Sequence, residues 1–275
     1  MLRNLRPHLN RFTAFLVRDF YDQASYRFSF LFSFVGVFIR ALIFFFLSEL
    51  IGVGAAPYLQ DYNGDYFSFV IIGIALGGYF SVGLTGFSQA LRQAQITGTL
   101  EATMMTPTPV SLVVIGSAAW SYTFTTFRVF LYLLIGAVLL TLDLSQANIL
   151  ASLLILILSI ISFAAIGIIA AGIIMVIKRG DPITGLLANG ANLLGGVYYP
   201  VAILPAGLQF LSYFLPLTYA LHGLRLAMLN GASWTELAPD ILALSAFCIV
   251  LFPLSLLIFR HAVDRARTEG TLAHY

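Results

Sequence analysis

Long apolar runs separated by short polar segments make up most of this chain. The runs exceed the roughly 10 residues of a membrane β-strand and do not alternate with polar residues, so they are predicted to be membrane helices rather than barrel strands. We predict an all-α integral membrane protein in which residues 1–275 form a single transmembrane domain. The six predicted spans cover residues 28–51, 66–88, 110–142, 149–177, 183–197 and 241–259.

An amphipathic segment, residues 9–26, precedes the first span. Apolar side chains recur there at helical spacing, and the charged side chains fall largely away from them. The apolar stripe consists of Leu9, Phe12, Leu16 and Phe20. This pattern predicts a helix that lies in the membrane interface, and a plain juxtamembrane tail is the alternative.

The segment between the fifth and sixth spans is apolar but interrupted by prolines. Pro205 and Pro216 stand where helices can begin, and Asn230 and Gly231 form a suitable stop. The two resulting helices, of about 10 and 13 residues, are roughly 15 and 20 Å long, and neither crosses a core of about 30 Å. We therefore predict a pair of re-entrant half-helices on the outer side, over residues 203–229.

Composition strengthens the membrane assignment, and charge gives the orientation. Hydrophobic residues make up 60% of the chain and charged residues 9%, whereas a soluble domain carries about 25% charged residues. Basic residues are concentrated at both ends of the chain and in alternate loops. The preference of basic loops for the cytoplasm places both termini and the loops 92–109 and 178–182 on the cytoplasmic side, which six crossings satisfy.

The first of these loops, residues 92–109, reads RQAQITGTLEATMMTPTP and is too polar to cross a bilayer. Gly98 and Thr99 can begin a short helix with Thr99 as its N-cap, and Pro107 ends it. We interpret the segment as a short helix on the membrane surface, whose amphipathic face a partner outside the bilayer can bind. An ordinary loop between two spans is the alternative.

Two arginines stand inside predicted spans, Arg40 in the first and Arg128 in the third. An unpaired arginine at the bilayer centre costs about 2.5–3.5 kcal/mol on insertion scales, so each is expected to face protein or water. Glu49 lies about 13 Å from Arg40 along the same helix, which is too far for pairing. Two interpretations are open: both arginines line a polar cavity, or they pair structurally with carbonyl groups or a partner helix.

Small and amide residues share one predicted face of the fifth span. They are Gly185, Asn189, Asn192 and Gly196. Such a stripe permits close helix contact and interhelical hydrogen bonds. It is either a packing interface or a wall of a transport pathway, and both hold if the pathway follows a dimer interface. Tyr198 and Tyr199 come next, and outer tyrosines either stack on sugars or belong to an interfacial aromatic belt.

Residues that carry catalysis or bind cofactors are scarce. Lys178 is the only lysine, so a phosphate-binding loop ending in Gly-Lys-Ser/Thr is impossible. The four histidines lack metal-ligand spacing, and Cys248 is the single cysteine. We therefore expect no catalytic site, metal or cofactor in this chain, and no nucleic-acid partner.

The chain resembles the permease subunits of type-two ABC exporters. The resemblance rests on the amphipathic N-terminal helix, the loop GTLEATMMTPTP and the late segment YYPVAILPAGLQFLSYFLPLTYALHGLRLAML taken together, and it covers nearly the whole chain. In that family the first cytoplasmic loop is a coupling helix that docks into a separate ATPase. The resemblance implies that the ATPase-coupling residues are Gly98, Thr99, Leu100, Glu101, Met104, Met105, Lys178, Arg179 and Asp181.

The same resemblance implies partners and a function. We expect two copies of a cytoplasmic ABC ATPase, which would bind ATP and Mg²⁺, and a second permease copy that is identical or paralogous. The complex would export a drug, a lipid or a lipid-linked glycan across a bacterial plasma membrane. A secondary transporter or a membrane-embedded enzyme is the alternative, but neither the inverted repeats of the first nor the clustered acids or histidines of the second are visible.

Overall fold

The computed structural model describes residues 13, 17, 18, 20, 21, 27–62, 65–96, 110–177 and 181–268, and within them it contains helices and turns but no strand. The α-helices in this part of the chain are α1 (Arg27–Ala55), α2 (Tyr66–Ile96), α3 (Val110–Leu139), α4 (Ile149–Ile177), α5 (Asp181–Leu194), α6 (Ala206–Ser212), α7 (Pro216–Leu229) and α8 (Trp234–Thr268). Short 3-10 helices occupy Ala56–Tyr58, Gln60–Tyr62 and Val201–Ile203.

Five of the described helices are long and apolar enough to cross a membrane, namely α1, α2, α3, α4 and α8. α2 continues to Ile96, so its last turn takes in the beginning of the predicted coupling loop 92–109. α5 has 14 residues, or about 21 Å, which is less than a core of about 30 Å. The apolar run predicted as the fifth span thus forms a helix that does not reach across the core by itself.

α5 ends at Leu194 because two glycines follow it. Gly196 has a φ of 82°, the left-handed conformation that glycine adopts readily at the end of a helix. A Cβ atom at Gly195 would lie 2.8 Å from the Leu217 side chain of α7. The stripe of small and amide residues predicted for one helix face therefore ends at Asn192, since Gly196 lies in the turn beyond the helix.

α2 is the central helix of the bundle. In its most apolar stretch 83% of the residues are buried, against 11% in the corresponding stretches of α1 and α8. α2 packs against α1, α3, α4, α5 and α7, and α4 packs extensively against α8. The outer faces of α1 and α8 are left exposed and apolar, as suits contact with lipid.

α2 and α4 cross with their backbones in direct contact. A Cβ atom at Gly167 would lie 1.7 Å from the carbonyl oxygen of Gly83, and one at Gly83 would lie 2.7 Å from the Cβ of Phe163. Small residues permit this close approach of membrane helices. Phe163 packs edge-on against Phe80, with ring centroids 5.1 Å apart, so the crossing is surrounded by aromatic packing.

α8 begins inside the segment that precedes the predicted span 241–259. The Glu236 carboxylate accepts hydrogen bonds from the Ser233 backbone N–H at 2.7 Å and from the Ser233 hydroxyl at 2.9 Å. This contact is a variant of the S-x-x-E capping box, which stabilises the first turn of a helix. The helix therefore starts at Trp234, and the predicted span forms its middle.

Two short helices occupy the predicted re-entrant segment. α6 has 7 residues and follows Pro205, and α7 has 14 residues and begins with Pro216. α7 is followed by Asn230 and by Gly231, whose φ is 61°. These limits coincide with the predicted starts and stop. At about 10 and 21 Å, neither helix is long enough to cross the core.

The interface helix predicted for residues 9–26 is described in part. Thr13, Val17, Arg18, Phe20 and Tyr21 are helical and exposed. The Phe20 ring packs edge-on against a tryptophan of α3, Trp120, with ring centroids 5.6 Å apart. The remainder of residues 9–26 lies outside the described residues.

We expect Gly167→Ala to destabilise the protein by about 1–3 kcal/mol, the usual cost of overpacking, because the added methyl group overlaps the Gly83 carbonyl. Gly36→Ala is the matched control, since a Cβ atom there meets no atom within 4 Å and alanine favours a helix over glycine. Thermal unfolding of the purified chain in detergent compares them. Equal midpoints for wild type and Gly167→Ala would contradict the crossing.

Candidate functional site

A polar cavity of about 210 Å³ lies inside the apolar bundle, between α1, α2, α3 and the end of α5. Backbone and small apolar residues of α2 form one side, and polar side chains from several elements form the rest. The polar side chains in its lining are Arg40, Ser81, Thr125, Arg128, Tyr132, Asn192 and Tyr198. Polar groups at this depth are retained only where protein or water solvates them, so the cavity is the strongest candidate for a functional site.

Arg40 and Arg128 bring two positive charges to this cavity. Tyr132 interacts with both guanidinium groups, which are close enough to repel each other. The Arg128 guanidinium lies 4.9 Å from the centroid of the Phe124 ring, and its Nε is buried without a hydrogen-bond partner among the described residues. The described lining includes no Asp or Glu, so the cavity is electropositive.

Asn192 and Ser81 form a neutral polar side of the cavity. The Asn192 Nδ2 donates to the Ser81 hydroxyl at 3.4 Å. The Asn192 Oδ1 and the Thr125 hydroxyl are buried without a hydrogen-bond partner in the described part of the chain. Buried polar atoms are nearly always paired, so several unpaired ones around one cavity indicate a place where a polar group or water binds.

The segment that follows α5 closes one end of the cavity. Val197 and Tyr198 belong to its lining. The Tyr66 hydroxyl donates to the Tyr198 carbonyl at 3.1 Å, and the Tyr198 ring stacks on Phe44 with centroids 6.0 Å apart. This end of the cavity is therefore tied to both α1 and α2.

Arg225 of α7 fixes the same segment from behind. It is 2% exposed, and it donates hydrogen bonds to the carbonyls of Phe69, Gly196 and Val197 at 3.0, 2.9 and 3.0 Å. Its guanidinium lies 3.4 Å from the centroid of the Phe69 ring. Gly73 leaves room for this contact, because a Cβ atom there would lie 2.2 Å from the Val197 carbonyl oxygen. Arg225 is thus a structural arginine that satisfies backbone carbonyls.

The cavity brings together four of the predicted pathway residues, Arg40, Arg128, Asn192 and Tyr198. The other four are not part of its described lining. Asn189 is exposed, a Cβ atom at Gly185 would meet no atom within 4 Å, and Gly196 lies in the turn bound by Arg225. Tyr199 is half-buried beside that turn.

The predicted coupling residues fall almost entirely outside the described part of the chain. Those outside it are Gly98, Thr99, Leu100, Glu101, Met104, Met105, Lys178 and Arg179. Asp181 is the first residue of α5, and its side chain is not among those described. Their role remains a prediction from the sequence.

Three polar residues of the cavity were not predicted, namely Ser81, Thr125 and Tyr132. The sequence carries a signal for two of them, because Thr125, Arg128 and Tyr132 stand at i, i+3 and i+7 and so share one helix face. In the sequence, Arg225 is an isolated basic residue within the predicted half-helix segment 203–229. Its role is visible only when the three carbonyls that it binds are known.

Comparison with known families agrees with this architecture. The family described as ABC-2 type transporter matches residues 10–229. The chain therefore belongs to the ABC-2 type transporter family, and it is the membrane permease part of an ABC transporter. No curated protein matches the sequence of this chain.

We expect Arg225→Lys to lower stability strongly, because one ammonium group does not reproduce the guanidinium fork and each buried carbonyl left without a donor costs about 1–3 kcal/mol. The matched control is Arg260→Lys, which alters an exposed arginine of α8. Thermal unfolding in detergent should show a large loss for the first variant and little change for the second. Similar unfolding of the two variants would contradict a structural role for Arg225.

Proposed function

We propose that this chain is the permease subunit of an ATP-driven exporter that moves an amphipathic substrate out of a bacterial cell. The observation that carries the proposal is an electropositive polar cavity inside an apolar bundle of the ABC-2 type transporter family. A transport pathway for amphipathic molecules needs polar groups that are solvated within the hydrocarbon core. The proposed location is the bacterial plasma membrane.

Coupling to ATP is proposed to act through the loop 92–109. This loop joins α2, which ends at Ile96, to α3, which begins at Val110. Both helices line the cavity, α2 with Ser81 and α3 with Arg128. ATP binding by the partner would push on residues 98–105. Because the loop is continuous with α2 and α3, which form two walls of the cavity, this push would tilt both helices and open the cavity.

A second permease copy and two ATPase copies complete the proposed complex. On α5, Asn189 is exposed, and a Cβ atom at Gly185, one turn earlier on the same face, would meet no atom within 4 Å. Small residues on an open face suit close packing with another helix, and this face lies on the helix that brings Asn192 to the cavity. An identical or paralogous copy would pack there, and ATP and Mg²⁺ would bind to the ATPase.

We propose six crossings with both termini in the cytoplasm. α5 and the turn 195–200 together form the fifth crossing, while α6 and α7 enter the outer side and return. Support comes from charge. Arg260 and Arg265 lie at one end of the bundle, and Asp61 and Asp143 are exposed in the segments between helices at the other end.

Cysteine labelling tests this topology in a Cys248→Ala background. Single cysteines on the outer side should react with a membrane-impermeant thiol reagent added to intact cells, and those on the cytoplasmic side should react only after lysis. The outer positions are Asp61, Asp143 and Glu236, and the cytoplasmic positions are Thr103 and Arg265. The reverse pattern would overturn the orientation.

The transport assignment predicts that the tagged chain copurifies with a soluble ABC ATPase and hydrolyses no ATP alone. Glu101→Lys should weaken that association, because breaking a buried interfacial charge pair costs about 2–5 kcal/mol. A carboxylate that only favours the helix dipole would contribute about 0.3–1 kcal/mol. The amount of bound ATPase per permease and ATP-dependent export from vesicles measure the effect.

Asp143→Lys is the control, since it makes the same charge change in an exposed loop at the other end of the bundle. If Glu101→Lys and Asp143→Lys bind equal amounts of ATPase and export equally, Glu101 does not couple the subunits. Docking would then depend on the apolar residues Leu100, Met104 and Met105. ATPase activity of the chain alone would contradict the permease assignment itself.

A further inference from the structure

We propose that the cavity is an oxyanion site, and that the exported amphiphile carries a phosphate or carboxylate group that Arg40 and Arg128 bind. The statement that the ligand is the exported molecule rests on the proposed transport function. The binding itself depends only on the cavity. It therefore adds a chemical class to a substrate that the family does not specify.

Charge balance is the first argument. Two guanidinium groups face one cavity and repel each other, and the described lining supplies no carboxylate. The Asp240 carboxylate contacts His222 Nδ1 at 2.7 Å, joins α7 to α8 and lies outside that lining. Electrostatic interactions are strong where water is scarce, so an anion between the two arginines would relieve the repulsion.

The contrast with Arg225 is the second argument. Arg225 is 2% exposed and its guanidinium is occupied by three backbone carbonyls. Arg40 shares a side-chain hydrogen bond with Tyr132, which occupies one of its five N–H donors, and the buried Nε of Arg128 has no hydrogen-bond partner within the described residues. Guanidinium groups bind phosphate and carboxylate oxygens in a two-pronged fork, and these two arginines keep that capacity available.

The neutral groups around the arginines suit the same ligand. Tyr132 lies beside both guanidinium groups, and the Thr125 hydroxyl is buried without a described partner. Both hydroxyls donate hydrogen bonds, as an oxyanion requires. The lining thus supplies both charged and neutral donors to one cavity.

The size of the cavity indicates which part of the substrate enters it. Its volume of about 210 Å³ is below the roughly 300–1,000 Å³ of pockets for drug-sized ligands. Arg40 is exposed on α1, and the flanking residues Ile39 and Ile43 are also exposed. The cavity therefore fits a headgroup, while the apolar part of the molecule stays on the helix surface.

The test is equilibrium binding to the full-length chain in detergent micelles, measured by fluorescence anisotropy. The probes are a labelled phosphatidic acid and a labelled phosphatidylcholine with the same acyl chains. We expect wild type to bind the phosphatidic acid probe about tenfold more tightly. Arg40→Gln and Arg128→Gln should each weaken that binding about tenfold, the usual effect of losing a charged hydrogen bond.

The matched control is Arg260→Gln, which removes an exposed arginine far along α8 from the cavity and should bind as wild type does. Arg40→Lys should keep part of the affinity, because it retains the charge and loses the fork. Arg40 is exposed, so its variants report on binding even if Arg128→Gln fails to fold. Size-exclusion chromatography checks that each variant is folded and not aggregated. Equal affinity of wild type for the two probes, or of Arg40→Gln and Arg260→Gln for phosphatidic acid, overturns the proposal.

Competition with inorganic phosphate separates the two sources of the anion. Displacement of the labelled lipid by millimolar phosphate supports an oxyanion site that also takes free phosphate. Retention of the lipid supports an oxyanion site that requires the anion on an amphiphile. The binding assay contains no ATPase, so it tests the site independently of the transport function. If the chain selects phosphatidic acid but copurifies with no ATPase, the oxyanion site stands and the transport function is wrong. If it copurifies with an ATPase but binds both lipids equally, the transport function stands and the oxyanion site is wrong.

Discussion

The three hydrogen bonds from Arg225 join α7 to α2 and to the turn that follows α5. Backbone carbonyls left without donors are costly in an apolar environment, and the turn after α5 exposes two of them, on Gly196 and Val197. One guanidinium satisfies both, together with the Phe69 carbonyl of α2. The contact joins α7, α2 and the end of α5 at one point. The position of Tyr198 at the cavity follows from it, because Tyr198 is the next residue along the chain.

Arginine has two different environments within this one apolar bundle. Arg225 is solvated by carbonyls and stacks on an aromatic ring, so its charge is dispersed among fixed dipoles. Arg40 and Arg128 face a cavity instead, beside hydroxyl and amide groups. Backbone carbonyls thus offset the cost of burying the charge of Arg225. The described neighbours of the other two guanidinium groups are side chains, namely Tyr132 beside both of them and the Phe124 ring beside Arg128.

The long helices were predictable because a bilayer demands long apolar runs, and helix limits at Pro205, Pro216 and Gly231 follow from backbone chemistry. The predicted span begins at residue 241 because the residues before it are polar, although Ser233 and Glu236 carry the capping-box spacing that marks the start of α8. A cavity around the two arginines was one of two possibilities that the sequence left open, because a buried charge is solvated either by water or by protein groups. The other walls of that cavity come from separate helices, whose packing the sequence pattern does not give. The partners of Arg225 are backbone carbonyls, which no pattern of side chains reveals.

The backbone contact between Gly83 and Gly167 has a consequence for how motion passes along α2. Gly83 lies about 20 Å along the helix from Ile96 and about 9 Å from Gly77, which lines the cavity. If α2 is rigid and pivots about its contact with α4, the arm from Gly83 to Ile96 is about twice as long as the arm from Gly83 to Gly77. Displacement of the Ile96 end then reaches the cavity reduced by about half and reversed in direction, so a push that moves this end toward the bundle moves the cavity wall away from it.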